Sequence, residues 1–149
     1  MKWLSILLLL FITLFCSNSV IAQEEIQTKY FGVGATVEEI DQAEFSVSTD
    51  GATAGEGFVF TTDQIHSGEK VNFSVVLKGN ETLQIKLVET DVNGKFIKEQ
   101  TSPAILLEDT WKEFKYQTKL AKHTKQIDIF VITDSAKKSV FKFRDALIN

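Results

Sequence analysis

Side chains that donate or accept hydrogen bonds recur at alternate positions of several apolar segments. They are Asn72, Ser74, Gln84, Lys86, Gln117 and Asp128. Such groups suit hydroxyl-rich ligands, because each sugar hydroxyl both donates and accepts a hydrogen bond. The alternate positions of these segments include no tryptophan or tyrosine on which a sugar ring could stack, and the only aromatic residue among them is Phe130. A ligand-binding face and an ordinary solvated face therefore both stay open.

The segment FKFRDALIN places a carboxylate in phase with core residues. Phe141, Phe143 and Leu147 recur at every second position, and Asp145 completes the series. A carboxylate at a core position is costly unless hydrogen bonds or a cation satisfy it. Asp145 is thus a candidate metal ligand, and the alternatives are hydrogen bonds to backbone amides or an ion pair with a lysine at the sheet edge.

The sequence contains no pattern typical of catalysis. His66 and His123 are isolated in turn segments and lack the H-x-H or H-E-x-x-H spacing of metal sites. No G-x-S-x-G motif provides a nucleophile. The clustered acids lie in apparent loops, where hydration is the ordinary role. We expect a protein that is not an enzyme.

The polar positions are set by segments with a period of two, which is typical of half-buried strands. The clearest are VNFSVVLKG (Val71–Gly79) and the run from Asp109 to Leu120. Asn93-Gly94 predicts a hairpin turn. The residues expected to point into the core are Phe73, Val75, Ile85, Leu87, Phe114, Tyr116, Ile127 and Ile129. About nine strands separated by turns predict an all-β fold, a two-sheet antiparallel β-sandwich of the jelly-roll type.

Three of these strands, in this order, resemble those of carbohydrate-binding modules with a galactose-binding-like jelly-roll fold (the CBM4/9/22-like superfamily). The matching segments are VNFSVVLK, TWKEF (Thr110–Phe114) and FKFRDALI. They correspond to the family patterns Y-x-F-S-x-W-V-K, T-W-K-x-F/Y and F-Y-x-D-D-V-x-L. The first aspartate of the last pattern is replaced here by Arg144, and Asp145 matches the second.

The resemblance implies a glycan ligand and, at Asp145, a structural calcium ion held against N-terminal loops. Calcium requires six to eight oxygen ligands, and Glu38, Asp41 and Glu44 are candidate donors from the early part of the chain. The resemblance also implies that Trp111 packs under the sheet edge as a core residue.

The first 22 residues have the pattern of a signal peptide, with Lys2, an apolar run from Leu4 to Phe15, and Val20-Ile21-Ala22 before a predicted cleavage site. The apolar run is too short for a stable membrane anchor, so we expect no membrane span after cleavage. The predicted domain is residues 23–149, secreted to the periplasm or the extracellular space. It contains no cysteine, because Cys16 lies in the signal.

Charge narrows the range of partners. With Lys2 removed, 15 of the 16 basic residues remain against 20 acidic ones, which disfavours nucleic acid, whose binding depends on neutralising phosphates. The sequence therefore predicts an exported, non-catalytic domain that binds glycans or polysaccharides. The alternative is a structural or protein-interaction β-sandwich of the cell envelope without a sugar site, whose partners are envelope proteins.

Overall fold

A computed structural model describes residues 30–62 and 70–149, which form eleven strands. The strands are β1 (Tyr30–Val33), β2 (Ala35–Asp41), β3 (Glu44–Thr49), β4 (Gly57–Thr62), β5 (Lys70–Lys78), β6 (Thr82–Thr90), β7 (Phe96–Thr101), β8 (Ile105–Leu106), β9 (Lys112–Lys119), β10 (Gln126–Thr133) and β11 (Val140–Ile148). The predicted signal peptide and His66 lie outside the described residues. Within the described ranges, no helix is long and apolar enough to cross a membrane.

The strands form two antiparallel sheets, which confirms the predicted all-β sandwich. Sheet A has the order β1-β4-β10-β6-β7, with β8 pairing the far end of β6. Sheet B has the order β2-β3-β11-β5-β9. The largely apolar segment from Ile127 to Ile132 lies in β10, the central strand of sheet A.

The core lies between the sheets and is dominated by aromatic rings. Phe58 of sheet A stacks on Phe143 of sheet B, with ring centroids 3.8 Å apart. Phe143 also stacks on Phe45 at 5.0 Å, and Tyr30 closes this end of the cluster by edge-on contacts. The eight side chains predicted to point inward from β5, β6, β9 and β10 are all buried or pack against this core. Alternation therefore predicted the inner faces correctly.

Gly34 carries the chain from sheet A to sheet B. Its φ of 55° is in the left-handed region that glycine adopts without strain, and β1 ends before it while β2 begins after it. The acidic segment from Glu38 to Asp41 belongs to the edge strand β2.

The two-residue alternation fails at Asp145. This residue has a φ of 51°, and the register between β11 and β5 shifts between Arg144 and Leu147. Such a bulge adds one residue to the strand and reverses the phase that follows. Ala146 is buried in place of Asp145, whose side chain is 61% exposed. The expectation that Asp145 occupies a core position was wrong.

Candidate functional site

The side chains that the sequence grouped as one ligand-binding face lie on opposite surfaces of the sandwich. Asn72, Ser74 and Gln117 lie on the outer face of sheet B, because Phe73 and Val75 between them point into the core. The remaining ones, Gln84, Lys86 and Asp128, lie on the outer face of sheet A. The prediction of a single site containing all of them was wrong, because alternation shows which side chains point outward but not from which sheet.

The outer face of sheet A carries a row of side chains that crosses all five strands. The row runs in register through Phe31, Val59, Phe130, Lys86 and Thr101. Phe31 is 50% exposed, and the Lys86 ammonium lies 5.7 Å from the centroid of the Phe130 ring. Phe31 and Phe130 are two strands apart, or about 10 Å. Two aromatic groups at this separation suit a ligand longer than one sugar ring.

Polar groups lie beside this row. The Thr61 hydroxyl donates a hydrogen bond of 2.9 Å to Asp128 Oδ1 across the β4–β10 pair. Lys86 Nζ lies 3.9 Å from Glu99 Oε2 on β7. The face therefore combines apolar ring surface with hydroxyl, carboxylate and ammonium groups, which are the components that bind the C–H faces and hydroxyls of a sugar.

A buried glutamate fixes the loop at one end of this face. Glu56 accepts backbone hydrogen bonds from Gly51, and from Ala52 and Thr53 at 2.8 Å each. These bonds keep the pKa of Glu56 below its ordinary value. The loop packs beside Ile132, which is 6% exposed although it shares its strand face with Phe130. The 50–57 loop therefore forms an end wall of the sheet A face.

A second buried glutamate holds the strands beneath the other end. Glu89 is fully buried and accepts hydrogen bonds from Gln100 Nε2 at 3.0 Å, from the Ala121 amide at 2.8 Å and from the Thr124 hydroxyl. Lys98 Nζ lies 3.2 Å from Glu89 Oε1. One carboxylate thus links β6 and β7 to the loop that leads into β10.

The outer face of sheet B is more polar and holds a tryptophan that the sequence placed in the core. Trp111 is half-buried, and the Arg144 guanidinium lies 4.6 Å from its ring centroid. Trp111 continues the outward phase of Glu113 and Lys115 one step before β9 begins. This alternation was the sequence signal from which the position of Trp111 on the outer face could have been predicted. On the same face Gln117 donates a hydrogen bond of 2.6 Å to Asn72.

The same two-sheet architecture occurs in solved structures of carbohydrate-binding modules. The CBM22-1 xylan-binding domain of Paenibacillus barcinonensis Xyn10C superposes with a TM-score of 0.63 and 17% identity, over 80% of this chain and 84% of that domain. The CBM22-1–CBM22-2 tandem of the same enzyme gives 0.67 and 18%, over 83% of this chain and 43% of the tandem. A CBM4 structure gives 0.59 and 14%, over 87% and 92%. This chain has the fold of those modules.

The predicted resemblance is therefore confirmed at the level of the fold. The chain spans less than half of the tandem structure, because it corresponds to a single module. No protein-family model and no curated protein sequence matches the chain.

The structure removes the burial argument for a calcium ion at Asp145. Asp145 projects from the bulge, and Arg144 Nε lies 3.7 Å from Asp145 Oδ2. Burial of Tyr30, together with the negative charge of Asp145, raises the pKa of Tyr30 to about 12. Among residues 30–62 and 70–149, no three or more His, Cys, Asp or Glu side chains come together in a way that could hold a metal. Calcium needs six to eight oxygens, which include backbone carbonyls, so a calcium ion at Asp145 stays a prediction that rests on the resemblance alone.

Proposed function

We propose that this protein is an exported, non-catalytic module that binds a polysaccharide on the outer face of sheet A. The observation that carries the proposal is the row in which Phe31 and Phe130 lie in register two strands apart on an exposed sheet face. The aromatic rings of Phe130 and Phe31 offer stacking surfaces for neighbouring sugars of one polysaccharide chain.

The polar groups beside the row suit the hydroxyls of such a chain. Asp128 accepts, Lys86 donates, and Gln84 does both. The face ends at the 50–57 loop beside Ile132 in the direction of β10, and at the edge strand β7 across the sheet. Support for a glycan also comes from the fold shared with xylan-binding modules, and xylan is therefore the first polysaccharide to test. The signal-peptide pattern in residues 1–22 supports export.

The test is binding of the purified protein to insoluble and soluble polysaccharides, with Phe130→Ala as the informative variant. Loss of one stacking ring is worth about 0.5–1.5 kcal/mol, so we expect affinity to fall by up to about tenfold. Leu147→Ala is the matched control, because Leu147 is 55% exposed on sheet B. Thermal melting checks that both variants fold. Binding that survives Phe130→Ala but is lost in Asn72→Ala would place the site on sheet B and contradict the proposal.

The second candidate function is the protein-interaction sandwich without a sugar site. The apolar content of the row favours it, because Phe31, Val59 and Phe130 would also suit an apolar patch on an envelope protein. Absence of binding across a panel of neutral and charged polysaccharides would favour this function. Release of sugars from any of them would contradict the non-catalytic assignment.

A further inference from the structure

A pocket of about 390 Å³ opens on the other side of the molecule, where β5 ends and β11 begins. Its walls include Lys78, Asn80, Asp109, Lys138, Val140 and Lys142. The volume falls within the range of small-molecule sites. Because its strands belong to sheet B, the pocket is separate from the row on sheet A.

Two of its lysines face each other directly. Lys142 of β11 is the cross-strand partner of Lys78 of β5, and both side chains point outward from the sheet. Like charges directly opposite one another destabilise a sheet. Lys138, in the loop before β11, is the third lysine of the wall and makes no ion pair with the described residues. Three lysines against two acids, Glu81 and Asp109, give the wall an excess of positive charge on a protein whose net charge is negative.

The acids near these lysines compensate them only in part. Asp109 lies 3.5 Å from Lys78, but its side chain is 77% exposed. Surface ion pairs of this kind contribute little, so an incoming anion can take the place of Asp109 at low cost. Lys142 Nζ donates a hydrogen bond of 3.2 Å to Glu44 Oε1, and Glu44 lies outside the pocket wall. An anionic group in the pocket would relieve the repulsion between Lys78 and Lys142 and would compete with Glu44 for the Lys142 ammonium.

The remaining groups of the wall suit a sugar ring attached to that anion. Asn80 both donates and accepts hydrogen bonds, Glu81 accepts them, and Val140 is 60% exposed and offers an apolar contact. We propose that this pocket binds the carboxylate of an acidic sugar, a uronic acid residue of a glycan. The choice of a sugar as the carrier of the carboxylate rests on the proposed function, whereas the anion specificity rests on the lysines.

The test is titration of the purified protein with oligogalacturonate, with a neutral xylo-oligosaccharide of equal length, and with inorganic sulfate. Lys78→Gln/Lys142→Gln is the informative variant, and Lys115→Gln is the charge control, because Lys115 is 70% exposed on the same sheet. We expect the double variant to bind oligogalacturonate at least tenfold more weakly and to bind the neutral oligosaccharide as the unmodified protein does. Lys115→Gln should change neither affinity.

Three results would overturn the proposal. They are absence of oligogalacturonate binding, binding that the double variant retains in full, and competition by sulfate that shows a site for any anion. Phe130→Ala separates this proposal from the sheet A site. That variant should weaken binding of the neutral oligosaccharide and leave the affinity for oligogalacturonate unchanged. Either proposal can therefore be contradicted independently of the other.

Discussion

Glu56 shows how one side chain can control the shape of a candidate binding face. Its carboxylate replaces water as the acceptor for the amides of Gly51, Ala52 and Thr53, and Gly34 allows the close approach because a Cβ there would lie 2.6 Å from Glu56 Cγ. The three bonds favour the ionised form, which lowers the pKa. The order of the loop is therefore linked to the charge of this residue.

The loop should lose its hydrogen bonds in acid. Because the folded-state pKa of Glu56 lies below its ordinary value of 4.5, the stabilisation is fully present above that value and is lost as the pH falls through the folded-state pKa. We expect Glu56→Gln to lose amide-exchange protection at Ala52 and Thr53 even at neutral pH. Asp50→Asn, at the first position of the loop, is the control and should keep this protection. Equal protection in both variants would show that the carboxylate does not hold the loop.

Asp145 and Trp111 show why single residues were misplaced by the sequence pattern. A bulge is a change of backbone conformation at one position, here a φ of 51°, and nothing in the alternation of FKFRDALIN indicates it. Trp111 precedes the first paired residue of β9, so its orientation depends on where the strand begins. Composition favoured the core for a large aromatic residue, whereas the strand phase placed it beside Arg144.

At the scale of the elements, periodicity predicted several central strands but not their partners. Alternation located β5, β6, β9 and β10 and the side of each strand that is buried. The sequence-adjacent strands β5 and β6 nevertheless join different sheets. Strand partners are chosen by contacts between distant parts of the chain, which a local pattern does not contain. For this reason Asn72 and Gln84 were expected on one surface and lie on opposite ones.

The link between β6, β7 and the β9–β10 loop should depend on Glu89. Removing the Glu89 carboxylate leaves the buried Thr124 hydroxyl without its acceptor, and breaking a buried charged network costs about 3–5 kcal/mol. We expect Glu89→Ala to lower the melting temperature by on the order of 10 °C or more. Glu99→Ala, on the exposed side of the neighbouring strand, should change stability by less than about 0.5 kcal/mol. Similar shifts in the two variants would show that the Glu89 network contributes no more than a surface pair.

At the scale of the whole molecule, an aromatic core joins the two sheets. Stacking of Phe58 on Phe143 joins them near the centre, and Tyr30 and Phe45 extend the cluster to one end. Aromatic pairs contribute about 0.5–1.5 kcal/mol beyond the area they bury. Of these four aromatic residues, only Phe143 was predicted at a core position, from the two-residue period of FKFRDALIN.

Melting should be independent of calcium. A ligand that binds only the folded state must raise the melting temperature, and Asp145 lies exposed beside Arg144. We expect the same melting temperature with millimolar calcium and with chelator. A rise with calcium that disappears in Asp145→Asn would restore the calcium site that the resemblance implied.

The place of β11 in sheet B bears on how the protein is made. This nine-residue strand lies between β3 and β5, pairing Phe143 with Phe45 on one side and with Leu77 on the other. During synthesis, β3 and β5 have no common neighbour until β11 leaves the ribosome, and each exposes an open edge. Sheet B is thus completed only when β11 pairs with both β3 and β5. A chain truncated before Val140 would expose two unpaired strand edges, which favour aggregation, where the full chain has a continuous sheet.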